Sequence, residues 1–160
     1  MKPYRAALLL ACLFLSAVAI CLAAHPLEGT WKLNTAQSRI ASNQPDAPKE
    51  GTMVFRLMGD QFELTDRSTL KDGTVSSAKE TFPADGGVFK VLETAPTAGE
   101  SSIETMLEPG NRFLTSLKDG KQIAVRHLVI SKDGKRISIT YKSKDSKGTP
   151  FESVLVYDKQ

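Results

Sequence analysis

From residue 27 to residue 158 the chain runs as short segments in which apolar and polar side chains alternate. Ile137, Ile139 and Tyr141 alternate with Ser138, Thr140 and Lys142, and Met53, Phe55 and Leu57 lie opposite Arg56. Phe113, Thr115 and Leu117 share one face of their segment. Successive side chains of a strand point to opposite sides, so this period of two marks half-buried strands. The run Ile123–Ile130 is apolar on both faces apart from Arg126 and His127, as expected where both sides are covered. The pattern predicts strands at 27–33, 52–58, 61–69, 74–82, 88–92, 102–108, 112–118, 122–131, 136–143 and 150–158.

Glycine turns separate these segments: Gly59-Asp60, Lys71-Asp72-Gly73, Asp85-Gly86-Gly87, Pro109-Gly110-Asn111, Lys118-Asp119-Gly120, Lys132-Asp133-Gly134 and Ser146-Lys147-Gly148. Asp-Gly pairs supply the positive φ angles that tight hairpins demand. Thr35–Ser38 has room for one turn, and the stretches 41–51, broken by Pro45 and Pro48, and 94–100 read as loops. No segment past the leader shows helical periodicity. The fold class expected is all-β, an antiparallel up-and-down barrel of about 8–10 strands, because closure removes exposed edges. About eight strands leave room for one small ligand, and more leave a larger space.

The first 24 residues differ from the rest. Lys2 and Arg5 precede an apolar run from Ala6 to Leu22, followed by Ala23 and Ala24, which is the layout of a secretory signal helix. Cleavage after Ala23 or Ala24 is expected, with a retained anchor as the alternative. The expected organisation is a signal peptide at 1–24 and one barrel domain at 25–160, exported to a periplasmic or secreted location and not inserted in a membrane once cleaved. Both cysteines, Cys12 and Cys21, lie in the leader, and neither has the position a lipidated cysteine needs. A cleaved chain would have no thiol, which excludes disulfides, thiolate catalysis and cysteine metal ligands.

The full chain has a formal charge of +3, but of its 21 basic residues Lys2 and Arg5 belong to the leader, leaving 19 against 18 acidic ones. No basic stripe interleaved with aromatics appears, so a nucleic-acid partner is not expected.

Candidate chemistry is sparse. Trp31, the only tryptophan, suits a packed barrel floor, where its indole N–H needs a partner; a ligand stacked on it is the alternative. Arg126 lies in the most apolar strand. Facing inward it would be a costly buried cation suited to holding an anionic head group; facing outward it would be an ordinary solvated residue. His127 faces the other way and reads as structural. Tyr141 and Tyr157 share inward parity with Ile139 and Leu155. Phe55, Phe62, Phe113 and Phe151 complete the inward apolar candidates. An amino-terminal copper site on His25 would need His127, which a mid-strand position does not bring near. Most aspartates sit in turns, Glu63 and Asp66 fall on different faces, and no nucleophile elbow or phosphate-cradling glycine loop is present. Neither a cofactor nor a metal is expected, and no catalytic residue is assigned.

The segment Gly29-Thr30-Trp31-Lys32-Leu33 resembles the first-strand signature of the calycins, the lipocalins and the fatty-acid-binding proteins. The end Val154-Leu155-Val156-Tyr157-Asp158-Lys159 resembles the last strand of the fatty-acid-binding branch. Across its length the chain is similar to exported bacterial lipocalin-like proteins, which share a GTWKLN start, a Pro-Lys loop, a DGK turn and a VYDKQ end. The resemblance implies a barrel that holds a small apolar molecule, and an inward arginine on the strand of Arg126. Two features depart from the fatty-acid-binding pattern. Leu155 stands where that branch has a carboxylate-gripping arginine, and a proline-broken loop at 41–51 replaces its helical lid.

The resulting expectation is non-covalent binding or carriage of a small hydrophobic molecule outside the cytoplasm. The candidate ligand-binding residues are Trp31, Phe55, Phe62, Phe113 and Phe151, with Arg126 and Tyr141 as polar handles. A filled barrel acting through its surface, as an envelope or protein-interaction module, is the alternative. A lipocalin-like enzyme dependent on His127 and Tyr141 is a further one.

Overall fold

Turn chemistry fixes where the chain reverses. At Asp119-Gly120 both residues have positive φ (50° and 72°), which is a type I′ turn, and Lys118 pairs directly with Lys121 across it. In this computed structural model the described residues are 25–89, 91–93, 100–108 and 110–160. The expected leader and most of the expected loop at 94–100 lie outside them.

The strands are β1 (Gly29–Leu33), β2 (Pro48–Met58), β3 (Gln61–Leu70), β4 (Val75–Pro83), β5 (Gly87–Phe89), β6 (Val91–Glu93), β7 (Glu100–Glu108), β8 (Asn111–Lys118), β9 (Lys121–Ile130), β10 (Arg136–Lys144) and β11 (Pro150–Lys159). They form one sheet in the order β5-β7-β8-β9-β10-β11-β1-β2-β3-β4-β6, with every pairing antiparallel. The two edge strands are adjacent in the chain, separated by position 90 alone. One pairs with β7 through Val88↔Ile103, the other with β4 through Glu80↔Val91. The curled sheet therefore brings its two edges near each other at this divided strand, β5 beside β4 and β6 beside β7, in an up-and-down barrel. The sequence placed a single strand at 88–92; it is split because each half serves a different neighbour. The sequence also read 48–51 as loop, whereas β2 starts at Pro48, a first-residue position where the missing N–H breaks no ladder bond.

One end of the barrel is a packed floor. Leu27, Trp31, Phe62 and Ile137 are essentially inaccessible, and Phe55, Phe82 and Tyr157 join them in the same apolar cluster. Each such side chain taken from water contributes roughly 1.5–3 kcal/mol. The rings of Phe55, Phe62 and Phe82 meet edge-on or tilted at centroid distances of 5.8–6.4 Å. The Trp31 indole donates to the Leu27 carbonyl at 2.9 Å, so the residues before β1 close the floor from below. Gly29 is required beside it, since its φ is 128° and an added Cβ would lie 2.9 Å from Lys159 Cε. Lys159 Nζ in turn sits 5.0 Å from the Trp31 ring centroid.

Past β1, Thr35–Ser38 makes the expected turn, with Ser38 N–H bonded to the Asn34 carbonyl. The chain then runs along β11, held by the Arg39–Val154 bridge and by Ala41 N–H donating to Ser153 Oγ. This carries residues 41–47 to the end of the barrel opposite the floor.

Candidate ligand-binding site

The barrel is hollow above its floor. The cavity measures about 440 Å³, within the range of small-molecule sites. Strand alternation decides which side chains reach it. Phe55, Phe82 and Leu128 line its lower part, and Leu64, Leu114 and Leu155 line the middle. The middle also carries charge, with Asp66 on β3, Glu80 on β4, Glu104 on β7, Arg112 on β8 and Arg126 on β9. Five serines (Ser68, Ser76, Ser102, Ser116 and Ser143) line the opposite end. The lumen thus passes from apolar floor through an ionic belt to a hydroxyl-rich mouth.

The belt holds two different arginines. Arg112 is 2% exposed and its Nη1 lies 2.8 Å from Glu104 Oε2, itself 8% exposed. Its Nη2 donates to the Ala84 carbonyl, and the guanidinium carbon stands 5.8 and 6.0 Å from the Phe62 and Phe82 ring centroids. Arg112 therefore sits at the base of the belt, packed against the floor, with its charge taken up by Glu104. Even so, burial pushes the Glu104 carboxyl above its ordinary range, and Arg112 only partly opposes the shift. Among the described residues Arg126 has no such ion pair; its guanidinium carbon lies 5.0 Å from the Tyr141 ring centroid.

Asp66 and Glu80 are both raised, chiefly by burial, with the Arg126 charge pulling each back and with Asp66 pushing Glu80 further up. Because Asp66 pairs with Ala78, Glu80 is its diagonal neighbour on the lumen wall. The Tyr157 hydroxyl is likewise raised by burial, with Asp66 adding to the shift. Among the described residues no group of three or more His, Cys, Asp or Glu side chains is placed to hold a metal ion.

Across the mouth lies the strap at 41–47, fixed by the Lys71 N–H bond to the Ala47 carbonyl. Gln44 and Asp46 line the cavity from it. Gln44 is 5% exposed, and its Oε1 has no hydrogen-bond partner among the described residues. This strap occupies the region that the proline-broken sequence set apart from a helical lid.

The structure brings Phe55, Arg126 and Tyr141 together on the cavity. Trp31 and Phe62 lie beneath it in the floor, and Phe151 packs edge-on against Tyr141 at 5.4 Å. Phe113 is a correction. The sequence reading placed it inward, but Arg112 and Leu114 take the inward positions of β8, and Phe113 stacks on His127 at 4.0 Å on the other face. His127 Nε2 sits 2.8 Å from Asn111 Oδ1, a structural arrangement. Asp66, Glu80, Glu104 and Arg112 were not anticipated. The signal available was their parity: Glu80 lies two residues from Phe82, Asp66 two from Leu64, and Arg112 two from Leu114.

The fold is that of a lipocalin-like β-barrel. Rv2717c from M. tuberculosis superposes with a TM-score of 0.55 at 16% identity, covering 84% of this chain and 93% of that one. The zebrafish ileal bile acid-binding protein, solved with cholic acid, gives 0.49 at 15% identity, covering 84% and 99%. No protein-family model matches the sequence, and no curated protein does.

Proposed function

We propose that this protein binds and carries one small molecule with a substantial apolar body in the lumen of its barrel. The observation that carries the reading is the cavity of about 440 Å³ enclosed by the curled sheet. Apolar side chains below and leucines around the middle would supply the affinity by burial, and the belt would orient the guest. A filled barrel working only by its surface would leave no such space. The leader would direct the protein out of the cytoplasm, where a carrier without disulfides relies on its packed floor for stability.

The test is binding of the neutral apolar dye Nile red, followed by fluorescence. Saturable binding of one dye per protein is expected. Ala124 faces the cavity and is nearly inaccessible, so Ala124→Trp fills the lumen and should weaken dye binding by at least tenfold. No saturable binding, or equal binding by the filled variant, overturns carriage. Export is tested separately by intact mass of the protein from the extracytoplasmic fraction, which should begin at Ala24 or His25; uncleaved protein confined to the cytoplasm would refute it.

A further inference from the structure

Resting on the carriage reading, we infer that the guest is a cationic amphiphile, an apolar body bearing one amine, with the amine seated against Asp66 and Glu80. The lumen's charge carries this. Its described lining includes four carboxylates, Asp46, Asp66, Glu80 and Glu104, against two guanidiniums, Arg112 and Arg126, and no lysine. Arg112 and Glu104 cancel each other at 2.8 Å. Arg126 then faces an excess of carboxylate, so an anionic head group drawn to it would meet Asp66 and Glu80 at the same depth. A like charge brought into a poorly hydrated site is penalised heavily.

An ammonium reverses the balance. Asp66 and Glu80 are diagonal neighbours on one wall, and neither makes an ion pair within hydrogen-bonding distance of a described cation. Asp66 receives one long hydrogen bond, from Ser68 at 3.3 Å. A cation between the two carboxylates would be held by charge-assisted hydrogen bonds from its own N–H groups. A second, independent observation also asks for a donor. Gln44 Oε1, on the strap over the same cavity, is a buried acceptor with no donor among the described residues. A buried acceptor left unmatched is unfavourable, and a donor on the part of the guest that reaches the mouth would relieve it. The leucines Leu64, Leu114 and Leu155 and the Phe55 and Phe82 rings below them take the apolar body.

The experiment uses three guests with the same tail, decylamine, decanol and decanoate, each competing with Nile red on the full protein. Decylamine should bind at least tenfold more tightly than decanol, and decanoate should bind most weakly. In Asp66→Asn/Glu80→Gln the ratio of amine to alcohol affinity should fall at least tenfold. The series on the unaltered protein decides the matter even if that variant folds poorly. Decanoate binding as tightly as decylamine would overturn the cationic assignment while leaving carriage intact. The same holds if Nile red binds and no decyl guest displaces it. If Nile red itself does not bind, carriage falls first.

Discussion

Removing the buried Arg112 guanidinium should expose what the floor of this barrel costs to build. Arg112 and Glu104 are 2% and 8% exposed and 2.8 Å apart, so Arg112→Met leaves a carboxylate in the barrel wall without its cation. Breaking a buried pair from one side costs roughly 3–5 kcal/mol, and for a domain of this size that lowers Tm by roughly 10–20 °C. Glu104→Met strands the guanidinium and should cost a similar amount. The double variant should recover most of the loss, because two apolar side chains in a floor already lined by Phe62 and Phe82 remove both desolvated charges. Urea unfolding of the four proteins gives the coupling directly. In Arg112→Met the Glu104 carboxyl loses the charge that now opposes its upward shift, so its pKa rises further. A raised carboxyl makes stability fall as pH rises, so this variant should regain stability on acidification more than the unaltered protein does. Additive single costs, or an Arg112→Met penalty below about 1 kcal/mol, would refute a tightly coupled buried pair.

Trp31→Phe removes the donor to the Leu27 carbonyl and part of a fully buried ring, and should cost roughly 2–4 kcal/mol in urea unfolding; a cost near zero would mean the 2.9 Å bond does not close the floor. Asp66→Asn and Glu80→Gln should each stabilise the empty barrel at neutral pH. Their folded pKa values are raised by burial, so the stability these groups allow is complete below about pH 4 and declines as pH rises through the folded values. Melting temperature followed from about pH 5 to about pH 7.5 should therefore fall less in the variants than in the unaltered protein, and an identical slope would exclude these groups. Phe113→Ser should leave Nile red affinity unchanged and cost no more than about 1.5 kcal/mol, since Phe113 stacks on His127 away from the cavity; tenfold weaker dye binding would place it in the lumen after all.

The architecture was legible because hairpin chemistry is local. Asp119-Gly120 and the alternation of Ile137, Ile139 and Tyr141 each fix a turn or a face without reference to the rest of the chain. The divided strand at 87–93 was not, because pairing with β4 on one side and β7 on the other follows from the curl of the whole sheet. The site was legible on β9 and β10, where Arg126 and Tyr141 share parity with apolar inward neighbours. It was misread on β8. There the more apolar face, with Phe113 and Leu117, was taken as inward, yet Arg112, Leu114 and Ser116 line the lumen. β7 shows the same inversion, with Ser102 buried and Ile103 and Leu107 exposed. Hydrophobicity marks the inside of a filled barrel. A hollow one with an ionic belt breaks that rule where the belt lies.

That inversion bears on how the fold is held. The floor, from Leu27 through Trp31 to Ile137, is dry and packed, whereas the belt keeps Asp66 and Glu80 in surroundings that oppose their charge. An apolar pair at those positions would fit the empty barrel better, so their carboxylates weaken the unliganded state. A guest that supplies the missing donors reverses this locally, and its binding adds to stability by mass action, about 2.7 kcal/mol at a hundredfold excess over Kd. Stabilisation by a matched amine should therefore shrink when the carboxylates become amides, although the empty variants start out more stable. Opposite movement of intrinsic stability and ligand-induced stabilisation at the same two residues is what distinguishes a binding belt from a structural one.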